Sequence, residues 1–260
     1  MQLPTIDVAG TPIAALPFEN QVEIMLGWAK RGLSRMVCVA NVHMVMESHW
    51  HSDLSSVLES ADLVTPDGMP LVWMMRLQGA KNQDRVAGMD IFLSLCRQAT
   101  EANISVYLLG STQDVLFKMQ ARLQKDFPDL KLTGAESLPF RPLTANEDRE
   151  LIERVNCSGA GLTFVSLGCP KQERWMADHH GKIRSVMVGV GGVFPVYAGL
   201  KKHAPKWIRE SGLEWLYRLI QEPRRLWKRY WKTIPPFIWL AFQQVKLKQT
   251  DKVNLNKVHR

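Results

Sequence analysis

The sequence predicts an open α/β fold: a parallel sheet with flanking helices, followed by a basic C-terminal helical segment. Three observations lead there. Short apolar, β-branched runs recur, separated by helix-length stretches. Glycines and polar residues gather just after these runs. The charge is split, with 15 Lys/Arg against four Asp/Glu in residues 201–260 but 18 against 21 in residues 1–200. At 260 residues the chain can form one sizeable body with an appendage, and the expected division is 1–200 and 201–260.

The first run, MVCVAN over 36–41, is fully apolar until its last residue, as suits a strand buried on both faces. A helical pattern over 43–60 follows it, and DLVTP over 62–66 forms the next strand. Helix 88–102 leads into ISVYLL over 104–109, and helix 113–126 into a weaker strand near 131–136. Helix 145–156 precedes LTFVSL over 162–167, and helix 170–181 precedes SVMVGV over 185–190. Such sheets bind ligands beyond the carboxyl ends of their strands. Asn41, Asp67-Gly68, Gly110-Ser111-Thr112, residues 168–172 and Gly191-Gly192 therefore mark the edge where a site belongs.

Each motif there has a plain reading and a chemical one. Asp67 in VTPDG is an ordinary turn residue, or a carboxylate held at the sheet edge as a general base. Ser111 or Thr112 in LLGSTQDV either caps the following helix or leaves free N–H groups there for a phosphate. VGVGGVF has Phe194 where a third dinucleotide-binding glycine would stand, so a nicotinamide enzyme is poorly supported and no cofactor is expected. Cys169, beside Pro170, has no nearby histidine partner and reads as an inert thiol. His179 and His180 point to different faces of a helix, so a solvated helix end is expected rather than a metal site. No clustered ligand set suggests a metal elsewhere.

The tail GLEWLYRLIQEPRRLWKRYWK reads as two helices divided at Pro223. Arg218, Arg225, Arg229 and Lys232 are spaced 7, 4 and 3 apart, so roughly collinear helices would align them on one side. Five of the nine tryptophans lie in residues 201–260, with Trp227 and Trp231 as an i,i+4 pair and IPPFIWLAF after them. A solvated basic face is one reading; an interfacial element with arginines at phosphates and tryptophans at headgroup level is the other. A nucleic-acid-binding protein would account for the tail but not for the glycines and Asp67 at the sheet edge. No stretch reaches the roughly 18 apolar residues of a spanning helix. The N-terminus lacks a signal peptide's basic start and long apolar core. Cys38, Cys96, Cys157 and Cys169 form no CxxC pair, which fits a reducing compartment. A cytoplasmic location is expected.

Taken together and in order, VTPDGMPLVW, RVAGMDIF, VYLLGS, SLGCPKQERW, VGVGGVF…AG…APKWI and GLEWLYRLIQEPRRLWKRY resemble the WecG/TagA/CpsF family, glycosyltransferase family 26, from about Asn41 to Tyr230. The resemblance implies a Rossmann-like core of the GT-E type with a membrane-directed C-terminal appendage. It also implies a hexosyltransferase that moves a sugar, with inversion and no required metal, from a UDP-sugar to a polyprenyl-diphosphate-linked acceptor. Family members serve teichoic acid linkage, enterobacterial common antigen or exopolysaccharide synthesis. By position, Asp67 resembles the catalytic base. Asn41 and Gln172 resemble substrate-contacting residues, and Arg218, Arg225 and Arg229 resemble appendage arginines that reach the diphosphate; Gly68, Arg85, Gly110, Ser111 and Gly191 are expected to bind substrate beside them. Such a protein would associate peripherally with the inner face of the membrane through anionic lipid, and would not use nucleic acid. Three departures bear on the sugar: Val39 where many members have threonine, His203-Ala204-Pro205 for Arg-Ala-Pro, and Pro195 for an aspartate. The donor stays open among N-acetylmannosamine, its uronic acid and glucose, and so does the oligomeric state, a homo-oligomer included.

Overall fold

The computed structural model describes residues 3–258, with side chains described up to residue 247. The part of the tail's positive balance carried by residues 248–260 therefore lies outside the described side chains. A hairpin opens the chain, β1 (Thr5–Val8) and β2 (Thr11–Ala14), then helix α1 (Phe18–Lys30). Next come β3 (Arg35–Ala40), α2 (Val42–Trp50), α3 (Ser52–Ser60), β4 (Leu63–Pro66), α4 (Met69–Leu77) and α5 (Gly88–Glu101). They are followed by β5 (Val106–Gly110), α6 (Gln113–Asp126), β6 (Leu132–Glu136), α7 (Ala145–Cys157), β7 (Leu162–Ser166), α8 (Lys171–His179), β8 (Val186–Gly189) and α9 (Val193–Tyr197). The tail forms α10 (Lys206–Glu210), α11 (Glu214–Gln221) and α12 (Pro223–Val258).

Six strands form one sheet in the order β4-β3-β8-β7-β5-β6, with every pair parallel. The fold is Rossmann-like, as expected, with helices on both faces. Alternation along each strand shows why. Val37, Val39, Leu108, Phe164 and Val188 face one core cluster, while Met36, Cys38, Leu109, Val165 and Met187 face the other. In the first cluster the Phe92 ring meets Phe164 edge-on at 4.8 Å and Tyr197 at 5.1 Å, which pins α5 and α9 to the sheet. Burying a Phe side chain stabilises by about 1.5–3 kcal/mol.

One local feature differs from the sequence expectation, and two elements have none. The segment expected as one helix over 43–60 is two, because His51 is extended (φ −129°, ψ 103°) between α2 and α3. The 5–14 hairpin turns on Ala9 and Gly10, both at positive φ, and its strands are too short to show a clear alternation. Helix α1 has no strong start signal, since Pro17 precedes it without a capping side chain.

The tail does divide at Pro223, which begins α12. Leu226, Thr233 and Phe237 of α12 are buried, and Leu240, Ala241 and Val245 pack against the second core cluster. Gln244 fastens the helix to the hairpin, donating to the Asp7 carboxylate at 2.7 Å and accepting from Ala9 N at 3.1 Å. On the far side, Trp227, Trp231, Ile238 and Phe242 are 58–70% exposed. At 100° per residue these four fall within about 60° of one another. Among the described residues no helix is long and apolar enough to cross a membrane.

Candidate active site

A cavity of about 670 Å³ opens at the carboxyl edge of the sheet, between the strand ends and the tail. Asp67 enters it directly after β4. Its backbone N–H bonds Ala40 O at 2.8 Å, extending the strand register, while 28% of its side chain stays exposed to the cavity. Arg85 holds it in place. The guanidinium donates from Nε to Asp67 O at 2.7 Å, from Nη1 to Arg209 O at 3.1 Å and from Nη2 to Glu214 Oε2 at 2.9 Å. The same Nη2 lies 3.7 Å from Asp67 Oδ1. One arginine thus ties the end of β4 to α10 and α11.

Enclosure pushes the Asp67 carboxyl up to about 6; Arg85 pulls it back and Glu214 adds to the rise. Asp67 is then ionised above about pH 6, as a base at neutral pH requires. The sign for stability is opposite. With a folded value above the ordinary 3.8, its contribution to stability is present below about 4 and is lost as pH rises through about 6. We expect turnover to fall on acidification with a midpoint near pH 6. Glu214→Gln removes one upward push and frees Arg85 to close on Asp67, so the midpoint should move to lower pH. A pH–rate profile unmoved by that substitution would break the link.

The other expected positions divide. Asn41, Arg85, Ser111, Gln172, Gly191, Arg218, Arg225 and Arg229 line the same cavity as Asp67, whereas Gly68 and Gly110 do not. Asn41 also caps α2, its Oδ1 accepting from Met44 N at 3.2 Å. Gly68 occupies the N-cap of α4. Gly110 has φ +92°, and a Cβ there would stand 2.6 Å from Ser166 O, so its glycine answers to the β5–β7 approach. Ser111 is held in the left-handed region (φ 65°), and its N–H bonds Ser166 O at 2.8 Å. The cap of α6 is Thr112, which accepts from Val115 N at 3.4 Å.

Gln172 is buried under Gly191; Nε2 donates to Glu173 Oε1 at 2.7 Å, and Oε1 has no hydrogen-bond partner among the described residues. Burial pushes the Cys169 thiol far up, with the Glu173 carboxylate adding to it, which agrees with an inert thiol. His179 corrects the expected solvated helix end. It is buried, stacked on Trp175 at 4.0 Å, and bonded to Trp175 O and Asp148 Oδ1 at 2.7 and 2.9 Å. Its neighbour His180 reaches Asp62 at 2.9 Å. Among the described residues no three His, Cys, Asp or Glu side chains come together as metal ligands.

Three tail arginines reach the cavity, but Lys232 does not follow them: its ammonium lies 4.8 Å over the Trp50 ring. Lys201, Lys202, His203, Pro195 and Glu214 also line the cavity. Of these, Lys201, Lys202 and Glu214 carry no local signal that singled them out. Burial, and then Arg209, lower the His203 pKa, which favours a neutral imidazole.

A carboxylate and three arginines thus line one cavity at the edge of an open α/β sheet, an arrangement suited to group transfer. The chain belongs to the glycosyl transferase WecG/TagA/CpsF family, whose sequence pattern matches residues 6–252. It is therefore a glycosyltransferase, of the hexosyl-transferring kind. It is 31% identical over 230 residues to the N-acetylglucosaminyldiphosphoundecaprenol N-acetyl-beta-D-mannosaminyltransferase of Bacillus subtilis (strain 168), covering 87% of this chain and 86% of that one. It is 32% identical over 203 residues to the protein of the same description from Bacillus spizizenii, covering 78% and 76%.

Proposed function

We propose that this protein transfers a sugar, with inversion, from a UDP-sugar to a polyprenyl-diphosphate-linked glycan at the cytoplasmic face of the bacterial membrane. The observation that carries the proposal is the meeting of Asp67 and Arg218, Arg225 and Arg229 in one cavity. Asp67 takes the proton of the acceptor hydroxyl as that oxygen bonds to the anomeric carbon. The bond from that carbon to the UDP oxygen breaks on the opposite face, and UDP leaves with the electron pair. Guanidinium groups offset the diphosphate charge, so no divalent ion is invoked. Asn41, Gln172 and Gly191 shape the sugar end, while residues 1–200 act as the catalytic body and 201–260 as the appendage. The names of the two relatives make N-acetylmannosamine the first donor to test and N-acetylglucosaminyl-diphosphate lipid the first acceptor.

The test is mass spectrometry of the product from a UDP-sugar panel and a short-prenyl diphosphate acceptor, run in excess EDTA. One hexose-class mass increment is expected. No transfer with any donor, or activity restored only by magnesium or manganese, would overturn the reading.

The exposed Trp227, Trp231, Ile238 and Phe242 stripe, beside basic side chains, supports peripheral docking on anionic bilayers. Each basic side chain near such a surface contributes about 1 kcal/mol. Trp227→Ala with Trp231→Ala should abolish co-sedimentation with anionic vesicles at high salt, where only the apolar part resists screening. Unchanged pelleting would leave the stripe without this role.

A further inference from the structure

The three tail arginines in the cavity are not equivalent. Among the described residues, Arg218 and Arg229 have no carboxylate within ion-pair distance, whereas Arg225 is gripped side-on by Glu222. Arg225 Nε donates to Glu222 Oε2 at 2.6 Å, and Nη2 to Oε1 at 2.9 Å. The same Oε1 accepts from Lys201 Nζ at 2.8 Å. Lys201 comes from the segment after α9 and Arg225 from the first turn of α12, and both line the cavity. Glu222 itself does not line it. It stands behind the two cations in the joint between α11 and α12, where the backbone leaves the helix (φ −131°, ψ 57°).

Two features separate this carboxylate from an ordinary surface ion pair. It binds the Nε/Nη2 edge of the guanidinium, which fixes the plane of the group and leaves the Nη1 donors free. It also holds a second cation from a distant part of the chain, so the separation of the two positive groups is set before a ligand arrives. Arg and Lys side chains lose much rotamer freedom when they are fixed, and ordering them in advance spares that loss on binding. A mobile cationic wall attracts any anion by charge; a pair held at a set spacing selects for two linked phosphoryl groups.

We propose that Glu222 is a positioning residue that locks Arg225 and Lys201 as a pair and so gives the cavity its preference for a diphosphate over a single phosphate. The proposal rests on the diphosphate reading of the cavity, yet it can be tested without any sugar transfer. Calorimetry on the full chain with inorganic pyrophosphate and inorganic phosphate measures the preference as a ratio of dissociation constants. In Glu222→Gln the loss of a negative charge should tighten both anions, while the loss of orientation should cut the preference for pyrophosphate about tenfold. Glu222→Asp keeps the charge but withdraws the carboxylate, so it should cut the preference without tightening monophosphate, and it serves equally if the Gln variant folds poorly. In an Arg225→Ala background, Glu222→Gln should change the ratio less than twofold, because the pair it holds is already broken. A wild-type protein without preference for pyrophosphate, a ratio unmoved in both Glu222 variants, or an equal fall in the Arg225→Ala background would each overturn the proposal. If these arms behave as expected while no UDP-sugar is turned over, the transfer reaction fails and the role of Glu222 stands.

Discussion

Asp67→Asn is expected to yield a folded protein that transfers sugar about 10²–10⁴-fold more slowly, the usual loss when a general base is removed. Asparagine keeps the size and turn propensity of the residue after β4, and the register there depends on the backbone bond from Asp67 N to Ala40 O, which survives. The Arg85 contact to Asp67 O is likewise a backbone contact and also survives. Because enclosure pushes the ionised carboxylate toward its neutral form, a neutral side chain relieves that tension at pH 7. The melting temperature should stay level or rise while kcat collapses. Turnover within tenfold of wild type, in protein shown to be folded, would remove Asp67 from the role of base.

Arg229→Ala is expected to lower kcat/KM for a diphosphate-linked acceptor by roughly 30-fold to several-thousand-fold, the 2–5 kcal/mol range for truncating one partner of a desolvated charge pair. Arg229 is half-buried, and no carboxylate lies within ion-pair distance of it among the described residues. Burial first, then Arg225, lower its pKa, so the free protein holds this charge at some expense. An anion in the cavity would relieve it. Removing the side chain should therefore leave stability level or raise it, the opposite of its effect on turnover. Arg229→Lys keeps the charge without the planar fork and should fall between the two. Equal kcat/KM for Arg229→Ala and wild type at low acceptor concentration would show that Arg229 does not meet the diphosphate.

Much of this architecture is legible along the chain. Five of the six sheet strands are apolar runs because parallel strands are covered on both faces, and the weak run near 131–136 proves to be the edge strand β6. Asp67 is conspicuous because an Asp-Gly pair directly after a buried strand must lie at the sheet edge. The break at Pro223 follows from the missing N–H of proline. Other features leave no such trace. His179 looks like half of an exposed histidine pair, yet it is buried because Trp175, one turn earlier, and Asp148, from another helix, enclose it. Lys232 fits the spacing of the arginines but turns to Trp50, because α12 packs along α2 and brings that ring within reach of its ammonium.

The sequence by itself determined the succession of the six sheet strands, the edge where the cavity opens, the carboxylate at that edge and the basic aromatic character of the tail. These depend on patterning and turn chemistry, which act over a few residues. Only the tertiary structure decided the electrostatic condition of the site. Arg85 meets Glu214 across 129 positions of sequence. Glu222 reaches back 21 positions to Lys201 while gripping Arg225. Asp67 rises to about 6 because chain segments distant in sequence close around it. Desolvation and Coulomb energy depend on distance in space and on what excludes water. Neither quantity is written in the spacing of residues along a chain.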